Sequence, residues 1–408
     1  MDYIIKYIVR IMSWLFKIID DTLRNLYEVK LKYPGTLLPI THLGEVEVYS
    51  EESVDRYGYV DYIGEGDPIR RSNIFNLRFS NSKVISLDSS SRSISYYGFK
   101  IYITGLAVYT PNGIFYEPSL DSSIGFISIK SNIDFLKEVE SKGLNIRVKS
   151  IAGEYYDESY SDGDIADEAR IEIENLGLTK YPSKFNNLGY IMIDGPVYPV
   201  PPILYSSESY EGRYIEAFKR LIIERVRILE DIDIPVIGIV KRCEQSRKLY
   251  RANIVRGLYK ALYGSDPKDI DDLLLMEYIT NRYRLSMNDF LILGPLRIRY
   301  SQSYMPAKIF WYISIKVGRG LKIYRVEVLE EHYNRYPNIL DIVLNDMLSF
   351  DNISAVTGIP IQIELADRYS KRLTAALYKI FFERSQYILP VSYDEYMNYR
   401  KIIKELEV

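Results

Sequence analysis

The order of apolar runs predicts an α/β fold, a mixed sheet flanked by helices. Three observations carry this. Residues 83–88, 98–110 and 125–130 are β-rich runs joined by short links, the pattern of an antiparallel meander. Two short apolar runs, 190–193 and 234–240, come later, each closed by a turn residue or a charge, as buried strands are. Helical periodicity at about 162–176 and 209–230 separates them. Three meandering strands, helix, strand, helix, strand, helix is the order of a ribonuclease-H-like fold. In that order the first strand and the strand after the first helix lie side by side at the centre.

Residues 3–19 open the chain as an apolar run with Tyr3, Tyr7, Ile8, Ile11, Leu15, Ile18 and Ile19 at helical spacing. Lys6, Arg10 and Lys17 interrupt it, Asp20 and Asp21 end it, and no small-residue cleavage site follows. This predicts an amphipathic helix within 1–35, broken by Pro34-Gly35, that packs on the body or a partner subunit and not on a membrane. Residues 36–82 alternate short apolar runs with Gly, Pro and Ser, and predict a small β-rich insertion. The main domain is expected over 83–385. Within it, helices are expected at about 132–139, 244–263, 267–282, 338–348 and 361–385, with a hairpin over 310–317 and 322–329. A C-terminal helix within 386–408 closes the chain.

Composition narrows the chemistry. A net charge of −3 announces no global basic field, although 52 Lys and Arg can still line a local groove. One cysteine, Cys243, excludes an intramolecular disulfide and a thiolate zinc cluster, which fits a reducing, cytoplasmic setting. The two histidines, His42 and His332, give no basis for a histidine-rich site, so a bound metal must sit on carboxylates. Carboxylates favour Mg²⁺ or Mn²⁺. The 39 tyrosines read as compositional bias.

The predicted topology brings carboxylates together. The first strand ends on Asp88 and the strand after the first long helix ends on Asp194, followed at once by Gly195-Pro196. On the intervening helix Ile165, Ala169, Glu172 and Leu176 share a face, so Glu172 is expected to point inward and Glu174 nearly opposite. Asp367 lies in the first turns of the 361–385 helix. Each acid read singly is structural: Asp-Gly is a turn signal, and an acid near a helix start complements the dipole. Held together, such acids repel unless protonated or metal-bound. Hydrolysis of a phosphodiester uses two divalent ions about 3.5–4 Å apart, and those ions want carboxylate oxygens. Lys241 and Arg242, just past a strand end, are phosphate-contact candidates, the alternative being a surface pair. Ser246 and Arg247 open a predicted helix and are candidates for the same role. Tyr198, Tyr205 and Tyr210 are candidates for base stacking, though abundance alone explains them.

On these residues the chain resembles the NurA-domain nucleases. The matching stretches are Val84-Ile-Ser-Leu-Asp88-Ser-Ser-Ser, Ile191-Met-Ile-Asp-Gly-Pro-Val, Pro235-Val-Ile-Gly-Ile-Val-Lys-Arg, Tyr324-Arg-Val-Glu-Val and Gly358-Ile-Pro-Ile to Ala366-Asp367. They keep the family's order over about 80–385. The resemblance implies a ribonuclease-H-like core, Mn²⁺-dependent DNA cleavage with 5′-to-3′ exonuclease and single-strand endonuclease activity, and a ring-like homodimer. It also implies partnership with the HerA hexameric DNA-translocating ATPase in archaeal DNA-end processing. It carries metal-ligand roles onto Asp88 and Asp194, supports an acid on the 162–178 helix (Glu172, then Glu174), and raises the standing of Asp367. Two departures stand out. The family usually has Asp-Gly-Ser where this chain has Asp88-Ser89-Ser90, and often His where Asp367 stands. A non-catalytic DNA-clamping subunit and a metal-free carboxylate-pair glycosidase remain the alternatives.

Overall fold

The computed structural model describes residues 2–33, 58–77, 83–119, 125–200, 209–244, 246–268, 270–318, 320–349, 353–354, 357–391 and 393–407. The N-terminal helix α1 (Asp2–Lys32) precedes β1 (Tyr59–Tyr62) and β2 (Ile69–Asn73). Then come the long strands β3 (Lys83–Tyr96) and β4 (Phe99–Thr110), followed by β5 (Gly113–Glu117), β6 (Ile127–Ser131) and α2 (Ile133–Ser141). Helix α3 (Asp162–Lys180), strand β7 (Leu188–Asp194), helix α4 (Ser209–Asp231) and strand β8 (Val236–Val240) alternate. Three helices follow, α5 (Lys248–Arg251), α6 (Asn253–Tyr263) and α7 (Asp272–Tyr283), and then β9 (Asp289–Arg299), β10 (Lys308–Val317) and β11 (Gly320–Leu329). The chain ends with α8 (Glu330–Arg335), α9 (Ile339–Ile342), α10 (Ile361–Ser385) and α11 (Tyr393–Glu407).

All strands join one mixed sheet in the order β1-β9-β10-β11-β8-β7-β3-β4-β5, with β2 also on β9 and β6 also on β4. Strand β7 is parallel to both β3 and β8, and the other pairings are antiparallel. Helices cover both faces. Ile85, Leu87, Leu106, Val108, Ile191 and Ile193 pack with α3 and α4 in one core. On β3 and β4, Ile94, Ile101 and Ile103 pack with α1, α2, α10 and α11 in another. Each such fully buried aliphatic side chain contributes about 1.5–3 kcal/mol.

The expected elements and their limits are visible in local chemistry. Asn132 caps α2 through Phe135 N–H, and Asp271 caps α7 through Leu274 N–H. The predicted 244–263 helix is two, α5 and α6, broken at Ala252, whose backbone is extended. Strand β9 was not expected, because Gly294-Pro295 interrupts its apolar run and reads as a turn. Strands β1 and β2, in the stretch read as an insertion, hydrogen-bond to β9. Helix α1 buries Ile19, Leu23, Leu26 and Val29 in the body, and Asp20, Glu28 and Lys32 pair with Arg384, Lys142 and Glu138. Among the described residues no helix is long and apolar enough to cross a membrane.

One packing relation places the site. Helix α10 lies along β3, with Ser370 against Asp88 and Thr374 against Ser90. Four helical residues rise about 6 Å and two strand residues about 6.6 Å, so the two elements stay in step. Small residues let them approach. A Cβ at Gly105, which pairs with Ser90, would stand 2.7 Å from Leu373 Cδ2.

Candidate metal centre

Three carboxylates converge where β3, β7 and α10 meet. One oxygen each from Asp88, Asp194 and Asp367 lies within 4.8 Å of the others. Asp88 is 4 % exposed, in mid-β3, and accepts a hydrogen bond from Ser370 Oγ at 2.5 Å. The pairing Leu87–Ile193 in the parallel β3–β7 ladder sets Asp88 beside Asp194. Gly195, at φ +122°, then turns the chain away, and its N–H closes onto Ile239 O at 2.9 Å. The turn crosses β8 at Gly238, where a Cβ would meet Val197 N at 2.6 Å and Gly195 O at 2.7 Å.

Charge is concentrated here. Lys241 Nζ stands 2.5 Å from Asp194 Oδ2 and 3.5 Å from Asp367 Oδ2, and Lys371 Nζ is 3.1 Å from Asp367 Oδ1. Burial, reinforced by the Asp194 charge, pushes the Asp88 carboxyl well above the usual range. Burial also raises Asp194, although Lys241 opposes it. Burial would raise Asp367 too, but Lys241 and Lys371 outweigh it and hold that carboxyl low. For Lys241, burial works against the charged form, yet Asp194 and Asp367 raise it above the ordinary lysine value. Buried carboxylates that repel one another, in an all-oxygen set, fit a hard divalent cation such as Mn²⁺ or Mg²⁺. Asp88, Asp194 and Asp367 are the residues that would hold it.

Glu172 does not join them. Its carboxylate pairs with Arg147, on the segment after α2, and burial raises it. The expectation failed because α3 has no single inward face: it is buried against β3 and β4 on one side and α4 on another. Glu174, the alternative, accepts from Ser89 Oγ at 2.5 Å and pairs with Arg225 at 2.8 Å. Ser89 and Asp88 point to opposite faces of β3, so Glu174 reaches the neighbour of Asp88 from the other side of the sheet.

Of the phosphate candidates, Lys241 is at the triad and Arg242 is exposed beside it. Ser246 is buried and donates to Asp272. The same carboxylate takes the N–H groups of Lys248 and Leu249 at 3.0 and 2.8 Å, so this helix start already holds an anion. Arg247 is half-buried next to it. Tyr198 is buried, with its hydroxyl on Pro306 O. Tyr205 and the Tyr210 side chain lie outside the described residues.

A second layer went unnoticed in the sequence. Buried Glu327 accepts Val197 N–H at 2.9 Å and Lys308 Nζ at 3.0 Å, and Lys308 also holds Tyr198 O at 2.7 Å. Arg325 Nε lies 3.3 Å from Glu327. Burial alone would raise Glu327, but Lys308 and Arg325 bring it to about 2. This cluster grips the turn that follows Asp194. Its sequence signal is charge at alternate positions, Arg325 and Glu327, inside the apolar half of β11, residues 323–329.

A mixed α/β sheet with an acidic triad where β3, β7 and α10 meet has the all-oxygen donor set that suits a hard cation. The family model described as NurA domain matches residues 82–372, and the chain belongs to the NurA family. No curated protein matches it. Among solved structures, the NurA nuclease from Sulfolobus solfataricus is 12 % identical, covering 79 % of this chain and 84 % of its own, with a TM-score of 0.38. A NurA structure with manganese is 12 % identical over 75 % of this chain and 91 % of its own, at TM-score 0.34. One bound to dAMP and manganese is 10 % identical over 71 % and 84 %, also at 0.34.

Proposed function

We propose that the chain is a metal-dependent DNA nuclease with a ribonuclease-H-like core. The observation that carries this reading is the convergence of Asp88, Asp194 and Asp367 within 4.8 Å in a NurA-family chain. The strand order β5-β4-β3-β7-β8, with β7 parallel to both neighbours, supports the core assignment. When bound, two Mn²⁺ or Mg²⁺ ions would supply an activated water and stabilise the leaving oxygen. The chain's own residues do the rest. Ser370 orients Asp88, the Glu327–Lys308 pair fixes the turn behind Asp194, and Lys241 contacts a phosphate beside the triad. Arg242 adds charge at the same edge. Glu174 bonds Ser89, the neighbour of Asp88, from the opposite face of β3, whereas Glu172 pairs with Arg147. Ser246 acts behind the surface, through Asp272, and Arg247 is half-buried next to it.

The finer features follow the family resemblance. They are 5′-to-3′ exonuclease and single-strand endonuclease activity, a homodimer, a HerA-type hexameric ATPase partner in DNA-end resection, and a cytoplasmic site of action. The division at 35/36, 82/83 and 385/386 belongs to the same reading. The test is Asp194→Asn, which keeps shape and removes charge. End-labelled single-stranded DNA with Mn²⁺ should be degraded by the natural chain and left intact by the variant, with thermal unfolding preserved. Full activity in Asp194→Asn would sink the assignment. Cleavage that survives EDTA would favour a metal-free hydrolase.

A further inference from the structure

A row of residues leads away from the triad across the sheet. Asp88 on β3 pairs with Ala107 on β4, and Ala107 pairs with Tyr116 on β5. Directly paired residues of antiparallel strands share a face, so Asp88, Ala107 and Tyr116 all point towards α10. Two strand spacings separate Asp88 from Tyr116, about 9.5 Å. Ala107 between them is small. From above, α10 sets Tyr369, the residue before the Asp88 partner Ser370, against Tyr116. The two rings meet edge to face with centroids 6.4 Å apart. Tyr116 is 38 % exposed on a terminal strand of the sheet. Arg372, one turn along α10, is close enough for its charge to act on the Tyr116 phenol. The opposite face of β5 is engaged differently: Phe115 there packs on Tyr181 and Phe185.

An aromatic pair with an open ring, a guanidinium beside it and a carboxylate triad within one nucleotide's reach is a base-binding arrangement. A strand whose phosphate lies at Lys241 and the triad can extend a base along this row. A base that is paired and stacked in a duplex cannot present its face to a protein ring; an unpaired one can. We propose that Tyr116 and Tyr369, with Arg372, form a stacking subsite for one unpaired nucleobase of the DNA strand held at the triad. The subsite rests on the nuclease reading and adds to it a reason for preferring single strands or frayed ends. Every base has a π-face, so the subsite takes any of the four.

The test measures binding without turnover. The full chain, in EDTA, is titrated with a short single-stranded oligonucleotide carrying 2-aminopurine, whose fluorescence falls when it stacks on an aromatic ring. Tyr116→Ala should weaken affinity about tenfold, within the range for alanine at a base-stacking aromatic, and should abolish the quenching. Tyr116→Phe keeps the ring and should recover both. Tyr369→Ala should act in the same direction. Because Tyr116 is partly exposed, its variants are expected to fold, and circular dichroism checks this. Equal affinity and equal quenching in Tyr116→Ala and the natural chain would overturn the subsite alone, provided that the natural chain degrades DNA with Mn²⁺. A natural chain that neither binds nor degrades DNA would overturn the nuclease reading and the subsite with it.

Discussion

Gly238→Ala tests whether the turn behind Asp194 sets the site. The glycine sits in mid-β8, where β7 delivers Asp194 and the chain turns back across the strand. An added Cβ would stand 2.6 Å from Val197 N, 2.7 Å from Gly195 O and 3.0 Å from the Pro196 carbonyl carbon. All three are backbone atoms, so no rotamer change relieves the contact. Reaching an ordinary 3.4 Å from Val197 N requires a shift of 3.4 − 2.6 = 0.8 Å. Val197 N–H is also the group that Glu327 holds at 2.9 Å, so moving it strains that bond. Overpacking of this kind costs about 1–3 kcal/mol, within the stability of a domain. A misplacement near 1 Å at a reacting centre costs about 100-fold in rate. Gly238→Ala should therefore stay folded, with a lowered Tm, and lose about two orders of magnitude in kcat on end-labelled single-stranded DNA with Mn²⁺. Quenching of a 2-aminopurine probe in EDTA should persist, because Tyr116 on β5 and Tyr369 on α10 lie on other segments. A variant with natural kcat and natural Tm would refute the idea that this turn positions Asp194.

Other perturbations separate layers of the structure. Glu168 is fully buried, accepts from the hydroxyls of Tyr156 and Tyr160, and burial raises it to about 7. A raised carboxyl costs stability as pH rises from its unfolded value near 4.5 through about 7, so Glu168→Gln should raise Tm at pH 8 and leave it nearly unchanged at pH 4. Glu327→Ala leaves Lys308 and Arg325 buried without their counter-charge, and urea titration should show a loss of about 3–5 kcal/mol. Chelation by EDTA should stop cleavage without altering circular dichroism. The Ser90–Thr374 and Ser370–Asp88 contacts hold α10 to β3 without a cation, and Mn²⁺ or Mg²⁺ should restore activity.

The centre of the fold was legible because its signals are local. Strand β7 ends on Asp194 and α10 spans 361–385, as their own patterns predict, whereas β3, expected to end on Asp88, runs on to Tyr96, because Ser89, Ser90 and Ser91 are buried in the sheet between helices. Strand β9 was hidden because Gly294-Pro295 mimics a turn, while pairing with β10 overrides that local signal. A single buried stripe on α3 would turn Glu172 inward. A helix enclosed by a sheet and by another helix has no such stripe, and twelve of its nineteen residues are buried, so periodicity could not rank its acids.

Asp367 shows what sequence reading can reach only through tertiary structure. In its own segment it is an acid in the early turns of a helix, an arrangement that the helix dipole alone explains. What makes it part of a site is the run of small residues on other elements. Ser90 on β3 and Gly105, its partner on β4, leave room for α10 to lie directly on the sheet. The matched rise of helix and strand then keeps Ser370 over Asp88 and Thr374 over Ser90, which brings the preceding turn, with Asp367, to Asp194 and Lys241. A serine in place of the family's usual glycine after Asp88 is accommodated because Ser89 faces α3, where Glu174 and Arg170 engage its hydroxyl. The polar small residues therefore work on both sides of β3. Even-numbered ones seat α10 and the triad, and Ser89 ties the strand to the acid of α3 that the sequence had ranked second.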